Sequence, residues 1–166
     1  MTRVSGTQGE GEVAERIRAR RGGALRPLDE VLLHSPPLAD GWNSLLGAVR
    51  GDFALDPALR ELIILRIAVL NRADYEWTAH EPVARAAGVT DEQLEGVRTG
   101  ERTPFTAAQR AALDHTDAMT RGIEVPESVF AALRPHFDER GLVELTAVAA
   151  AYNMVSRFLV ALEVAK

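Results

Sequence analysis

The sequence predicts an all-α protein. Three observations carry that expectation: apolar residues recur at helical spacing, capping signatures precede the apolar runs, and no segment sustains the alternation of a half-buried strand.

Along the chain, residues 1–9 read as a loose polar segment. Glu10 to Arg21 fits a short charged helix closed by Gly22-Gly23. Residues 1–22 are therefore expected to form a flexible arm with a short helix, and 23–166 a single helical domain of about seven to eight helices. Pro27 to His34 makes one or two helical turns. Ser35-Pro36 then supplies a cap and a first-turn proline for a helix carrying Leu38, Trp42, Leu45, Leu46 and Val49, which ends at Gly51. Asp56-Pro57 opens the next helix, whose run Leu62-Ile63-Ile64-Leu65 and Ile67-Ala68-Val69-Leu70 is apolar all round, as in a central helix. A second helix follows from about Tyr75 to Ala87, stopped by Gly88. Thr90 with Gln93, and Thr106 with Gln109, are capping boxes for helices to about Arg98 and Arg121. Pro126 opens a helix to about Phe137. The last runs from about Arg140 to Val164 with Leu142, Leu145, Val148, Ala149, Tyr152, Val155, Leu159 and Leu162 inward.

The chain has 166 residues, 46% hydrophobic and 26% charged, with a formal net charge of −5. That balance speaks against nucleic acid as a partner, because non-specific binding needs a basic footprint. There are no cysteines. Disulfides, thiolate metal sites, iron–sulfur clusters and thiol peroxidase chemistry are thereby excluded. The absence fits a reducing compartment, and a cytoplasmic location is expected. The N-terminal segment lacks the apolar core of a signal peptide. The most apolar stretch, Leu142 to Val155, is interrupted by Glu144 and Asn153, so a buried helix rather than a membrane span is expected.

Few residues stand out chemically. Glu61 precedes the long apolar run, either as a surface acid or as a partly buried acid–base group. Arg66 is the one charge inside that run, where it must be paired or must reach an opening, as a structural ion pair or a substrate anchor. Glu76, Trp77 and His80 share one helical face beside Tyr75, and a carboxylate there can orient the imidazole. The bland reading of His80 is a hydrogen-bonded structural histidine. Asn153 and Arg157 lie four apart on the last helix; Arg157 can clamp a carboxylate or cap a neighbouring helix. His34, His115 and His136 are isolated. No metal is expected, since one His and one Glu make only two ligands.

The stretch Leu59 to Val89 joins Arg-Glu-Leu before an aliphatic helix, Tyr-Glu-Trp-x-x-His, and Ala-x-x-Ala-Gly-Val before an acidic capping box. With His34-Ser35-Pro36, Trp42 and the segment Tyr152 to Arg157, it closely resembles the carboxymuconolactone decarboxylase family, including its alkyl hydroperoxidase D-like branch. The resemblance covers roughly residues 30–163. It implies an all-helical fold assembled as trimers or hexamers; a dimer is the smaller alternative. In the peroxidase branch a Cys-x-x-Cys-x-x-x-His motif does the chemistry. With His80 on that histidine, Ala73 and Glu76 take the two cysteine positions, and Glu61 takes the place of a proton-relay glutamate.

What the resemblance implies is a cofactor-independent decarboxylase-like lyase acting on a small carboxylated lactone or keto acid. In that scheme His80 moves the proton, oriented by Glu76 or Glu61. Tyr75 donates to the oxyanion, Arg157 or Arg66 anchors the substrate, Asn153 lies beside Arg157, and Trp77 and Trp42 wall the pocket. The alternatives are an isomerase or hydratase with the same pair, and a non-catalytic binding or assembly protein that kept the fold.

Overall fold

The computed structural model describes residues 2–164, which fold as two compact units: residues 2–53 with 161–164, and residues 54–160. Among the described residues there are nine helices and no strand. About seven to eight were expected; the shortest, of six and five residues, begin at Pro27 and just after Pro126.

The first unit holds α1 (Glu12–Arg20), α2 (Pro27–Leu32) and α3 (Pro36–Gly51). Residues 2–9, within the segment expected to be loose, are tied down by hydrogen bonds. The Arg3 backbone N–H donates to the Leu162 carbonyl at 2.9 Å, and His34 Nε2 lies 2.7 Å from the Ser5 carbonyl oxygen. Ala14 and Ile17 of α1 are buried. In α3 the inward face is Ala39, Trp42, Leu46 and Val49, while Leu38 and Leu45 are exposed. Helical spacing fits both sets; packing selects the stripe that contains Trp42. Ser35 makes no side-chain cap, so the start of α3 rests on Pro36, whose φ is already helical.

The second unit is organised around α4 (Pro57–Asn71), which touches α5 (Asp74–Ala86), α6 (Asp91–Thr99) and α7 (Ala107–Arg121). Nine of its side chains, Leu59 and Glu61 to Ala68, are buried. That is why its sequence is apolar all round. Asp56 caps it by accepting from the Leu59 N–H at 2.9 Å. Both expected capping boxes form, with Gln93 N–H to Thr90 Oγ1 at 3.2 Å and Gln109 N–H to Thr106 Oγ1 at 3.3 Å. The helix after Pro126, α8 (Glu127–Ala131), stops short of Phe137. Pro135 lacks an N–H and disfavours helix at Arg134 before it, so the chain passes into turns.

The last helix, α9 (Glu139–Leu162), is long and apolar enough by length and composition to cross a membrane. Half of its apolar window is buried inside the protein. Its buried polar groups are tied within the second unit: Glu144 accepts from the Leu55 N–H at 3.1 Å and from Arg140 Nε at 2.7 Å.

Candidate functional site

Only Arg72 and Ala73 separate α4 from α5, so the second helix must fold back along the first. Arg72 takes the left-handed conformation at φ 57°, and the Ala73 N–H reaches back to the Ala68 carbonyl at 2.8 Å, closing a Schellman-type end. This hairpin sets His80 of α5 against Glu61 of α4. Their side chains meet at 2.7 Å, Nδ1 to Oε2.

Glu61 is 1% exposed, and its other oxygen lies 3.4 Å from Arg60 Nε. A carboxylate flanked in this way can only accept, so His80 Nδ1–H donates to it and Nε2 is left as the basic nitrogen. The His80 ring is further fixed by Tyr152 of α9, edge to face at 5.2 Å between centroids. The His80 side chain remains 14% exposed. Such a ring is oriented on one nitrogen and open to solvent over part of its surface, an arrangement able to take and return a proton. Arg60 and Tyr152 were not singled out as site residues from sequence. Arg60's signal was its place next to Glu61, and Tyr152's was its place in the Tyr152–Arg157 segment of the resemblance, although Tyr152 itself was read only as an inward residue.

The remaining expected residues sort differently. Glu76 does not orient His80, because Glu61 already does. Instead Glu76 is 2% exposed, and neither of its carboxyl oxygens has a hydrogen-bond partner in the protein. Burial pushes its pKa well above the ordinary 4.5, a shift that favours the neutral acid. Tyr75 sits half-buried in the first turn of α5.

Arg66 is committed elsewhere. It pairs with Asp117 of α7 through two bonds of 2.6 and 2.7 Å and donates to the Val97 carbonyl at 2.7 Å. A guanidinium so engaged has its donors taken up within the fold, as a structural ion pair does. Arg157 is exposed and donates to the Thr120 carbonyl at 3.4 Å near the end of α7, a helix-capping placement. Asn153 is consumed in a polar knot. It accepts from Asn71 Nδ2 at 3.1 Å and donates to Thr120 Oγ1 and the Ala149 carbonyl, both at 3.0 Å.

Trp77 packs in the apolar core with Leu62, Leu65, Leu94 and Leu113. Its Nε1–H donates to Glu81 at 2.9 Å, and Arg98 lies 3.7 Å from its ring centroid. It is a core residue with a cation over its face. Trp42 lies in the first unit, buried on α3.

His115 is 2% exposed; Thr146 Oγ1 lies 3.3 Å from its Nε2, and burial lowers its pKa. Among the described residues no three His, Cys, Asp or Glu side chains gather in a way that could hold a metal ion. A cleft of about 490 Å³ opens at the start of α4, between Leu55, Asp56 and Leu59 on one side and His136, Arg140 and Glu144 on the other. Its lining includes neither Glu61 nor His80.

The chain is 31% identical over 116 residues to the Escherichia coli (strain K12) protein YnjA, a match covering 66% of this chain and 62% of YnjA. It thus spans less than two thirds of that relative's length. The alkylhydroperoxidase AhpD core of a peroxidase-related protein from Ralstonia eutropha JMP134 superposes with a TM-score of 0.85 at 21% identity, covering 98% of this chain and 90% of that one. The debrominase Bmp8, solved as a cysteine-to-alanine variant with 2,3,4-tribromopyrrole, superposes with a TM-score of 0.76 at 18% identity, covering 89% and 81%. At such identities these two structures speak to the fold alone, which is AhpD-like and all-helical. Residues 36–118 match the model of the carboxymuconolactone decarboxylase family, and the chain belongs to that family.

Proposed function

We propose that this chain is a cofactor-independent acid–base enzyme that moves a proton to or from carbon on a small lactone- or keto-acid-like substrate, with decarboxylation as the first reaction to seek. The observation that carries the proposal is the 2.7 Å contact between Glu61 and His80, buried on one side and partly open on the other. In a decarboxylation, the electrons of the breaking carbon–carboxylate bond flow into a conjugated carbonyl of the substrate as carbon dioxide leaves. A proton taken up from water at His80 Nε2 then goes to the enolate carbon, which leaves the imidazole neutral with its Nδ1–H still on Glu61. Glu61 holds the ring and stabilises the imidazolium.

A specific observation favours a second reading, an isomerase or hydratase using the same pair. Arg66 is locked to Asp117, and Arg157 donates to a backbone carbonyl. Neither expected carboxylate anchor is therefore aimed at His80, and a proton shift needs no such anchor. Thiol peroxidase activity has no place in either reading, because the chain has no cysteine. The proposal takes a small molecule as the partner, places the protein in the cytoplasm, and has it working as a homo-oligomer.

The test is a panel of conjugated lactone acids and β-keto acids turned over in deuterated water. Carbon dioxide release marks the decarboxylase; deuterium at carbon without gas marks the isomerase. His80→Gln should lose about a hundredfold or more, the usual contribution of a positioned acid–base group. Unchanged turnover in His80→Gln would remove the proposal.

A further inference from the structure

Glu76 is the one buried acid of α5 that the Glu61–His80 pair does not use. Its position in the first turn would suit a capping carboxylate, but the Ala73 N–H it would cap already donates to Ala68. Arg60 and His80 are both turned to Glu61. The carboxyl of Glu76 thus has one O–H donor and its acceptor oxygens buried with nothing in the protein to meet them. A polar group left in that state is costly, and where a fold keeps one, a ligand or an ordered water is the usual complement. His80 is one helical turn away on the same face, with Cβ atoms roughly 5–6 Å apart.

We infer that Glu76 is the hydrogen-bond donor to the substrate's carbonyl or lactone oxygen, the oxygen that turns negative while His80 handles the proton at carbon. The inference rests on the acid–base reading of Glu61 and His80 and assigns the oxyanion side of that site to Glu76 rather than to Tyr75. The carboxyl proton stays on Glu76 throughout; the only proton that moves is the one passing between His80 and carbon. A neutral buried donor favours an uncharged acceptor oxygen in the ground state and strengthens its bond as charge develops there. The ligand class is therefore a conjugated carbonyl compound whose oxygen enters first, not an anion held by its charge.

The experiment is difference infrared spectroscopy of the full chain against Glu76→Gln, with and without 4-nitrophenol, a probe whose phenolic oxygen imitates an enolate. At neutral pH the wild type should show a protonated-carboxyl C=O band that Glu76→Gln lacks. 4-Nitrophenol should shift that band, and Glu76→Leu should bind the probe about tenfold more weakly or worse. Glu76 appearing as a carboxylate at neutral pH overturns the inference. So does a bound probe that leaves the band unmoved, which marks a water-satisfied or structural acid, and so does a probe that fails to bind at millimolar concentration. His80→Gln separates the two proposals. It should abolish turnover yet keep the band shift, so a lost acid–base reading and a lost oxyanion donor give different results.

Discussion

Glu61 and Glu76 are both buried acids on neighbouring helices, and their partners set them apart. Glu61 lies between Arg60 and His80, while Glu76 has no protein hydrogen bond to keep a charge in place. Two carboxyls held in such different surroundings can take different parts in one site. The difference has a consequence for stability. In the unfolded chain Glu76 titrates near 4.5, and folding raises that value by desolvation. Above pH 4.5 the folded state therefore keeps a proton that the unfolded state releases. The contribution of Glu76 is fully present below that pH and is lost as pH rises through the folded value, at up to about 1.4 kcal/mol per pH unit. Glu76→Gln cannot ionise, so its urea midpoint should gain steadily on the wild type as pH rises from about 4.5 towards the folded value. A constant difference across that window would mean that Glu76 titrates alike in both states.

Among the elements, α4 carries the largest single polar commitment of the second unit. Arg66 is 3% exposed and holds both Asp117 and the last turn of α6 through Val97. Removing it strands a carboxylate and a carbonyl, although Arg102 stays 3.2 Å from Asp117 and softens the loss. Arg66→Ala should cost about 3 kcal/mol in a urea titration, near the low end for breaking a buried pair. Thr90→Ala, which deletes an exposed cap, should cost about 1 kcal/mol. If Arg66→Ala costs no more than Thr90→Ala, the guanidinium is not structural and is free for a ligand. The two sites also show what could be read from the sequence. Thr90-x-x-Gln93 announces its own partner, because capping is local. So do Asp56-Pro57 and the apolar run that made α4 central. The partner of Arg66 lies 51 residues away, and helical spacing gives a face but not what meets it. For the same reason Trp77, Arg157 and Asn153 could be placed on helices but not assigned partners. The Glu61–His80 contact was legible only through the family resemblance. Periodicity puts one residue near the start of α4 and the other midway along α5, and only the two-residue link brings them together. Pro82, inside α5 and exposed, shows a local rule overridden: it costs that helix one backbone bond, on its solvent side.

For the whole molecule, the AhpD-like fold is kept while the thiol chemistry of the peroxidase branch is absent, since the chain contains no cysteine. With His80 on that branch's histidine, the two cysteine positions fall on Ala73 and Glu76, at the N-cap and third residue of α5. A thiol there would meet the positive end of a helix, which lowers a thiol pKa below its ordinary value of about 8.5. Histidine and glutamate are already in place behind it. The wild-type chain should consume no organic hydroperoxide in the presence of a dithiol reductant. A double variant, Ala73→Cys with Glu76→Cys, should consume it, and in the reduced form the pH midpoint of its alkylation rate should lie below the ordinary thiol range. Both positions are nearly closed to solvent, at 3% and 2% exposure. An inert double variant would therefore show that access to the start of α5, and not the lack of two thiols alone, keeps this chain from thiol peroxidase chemistry.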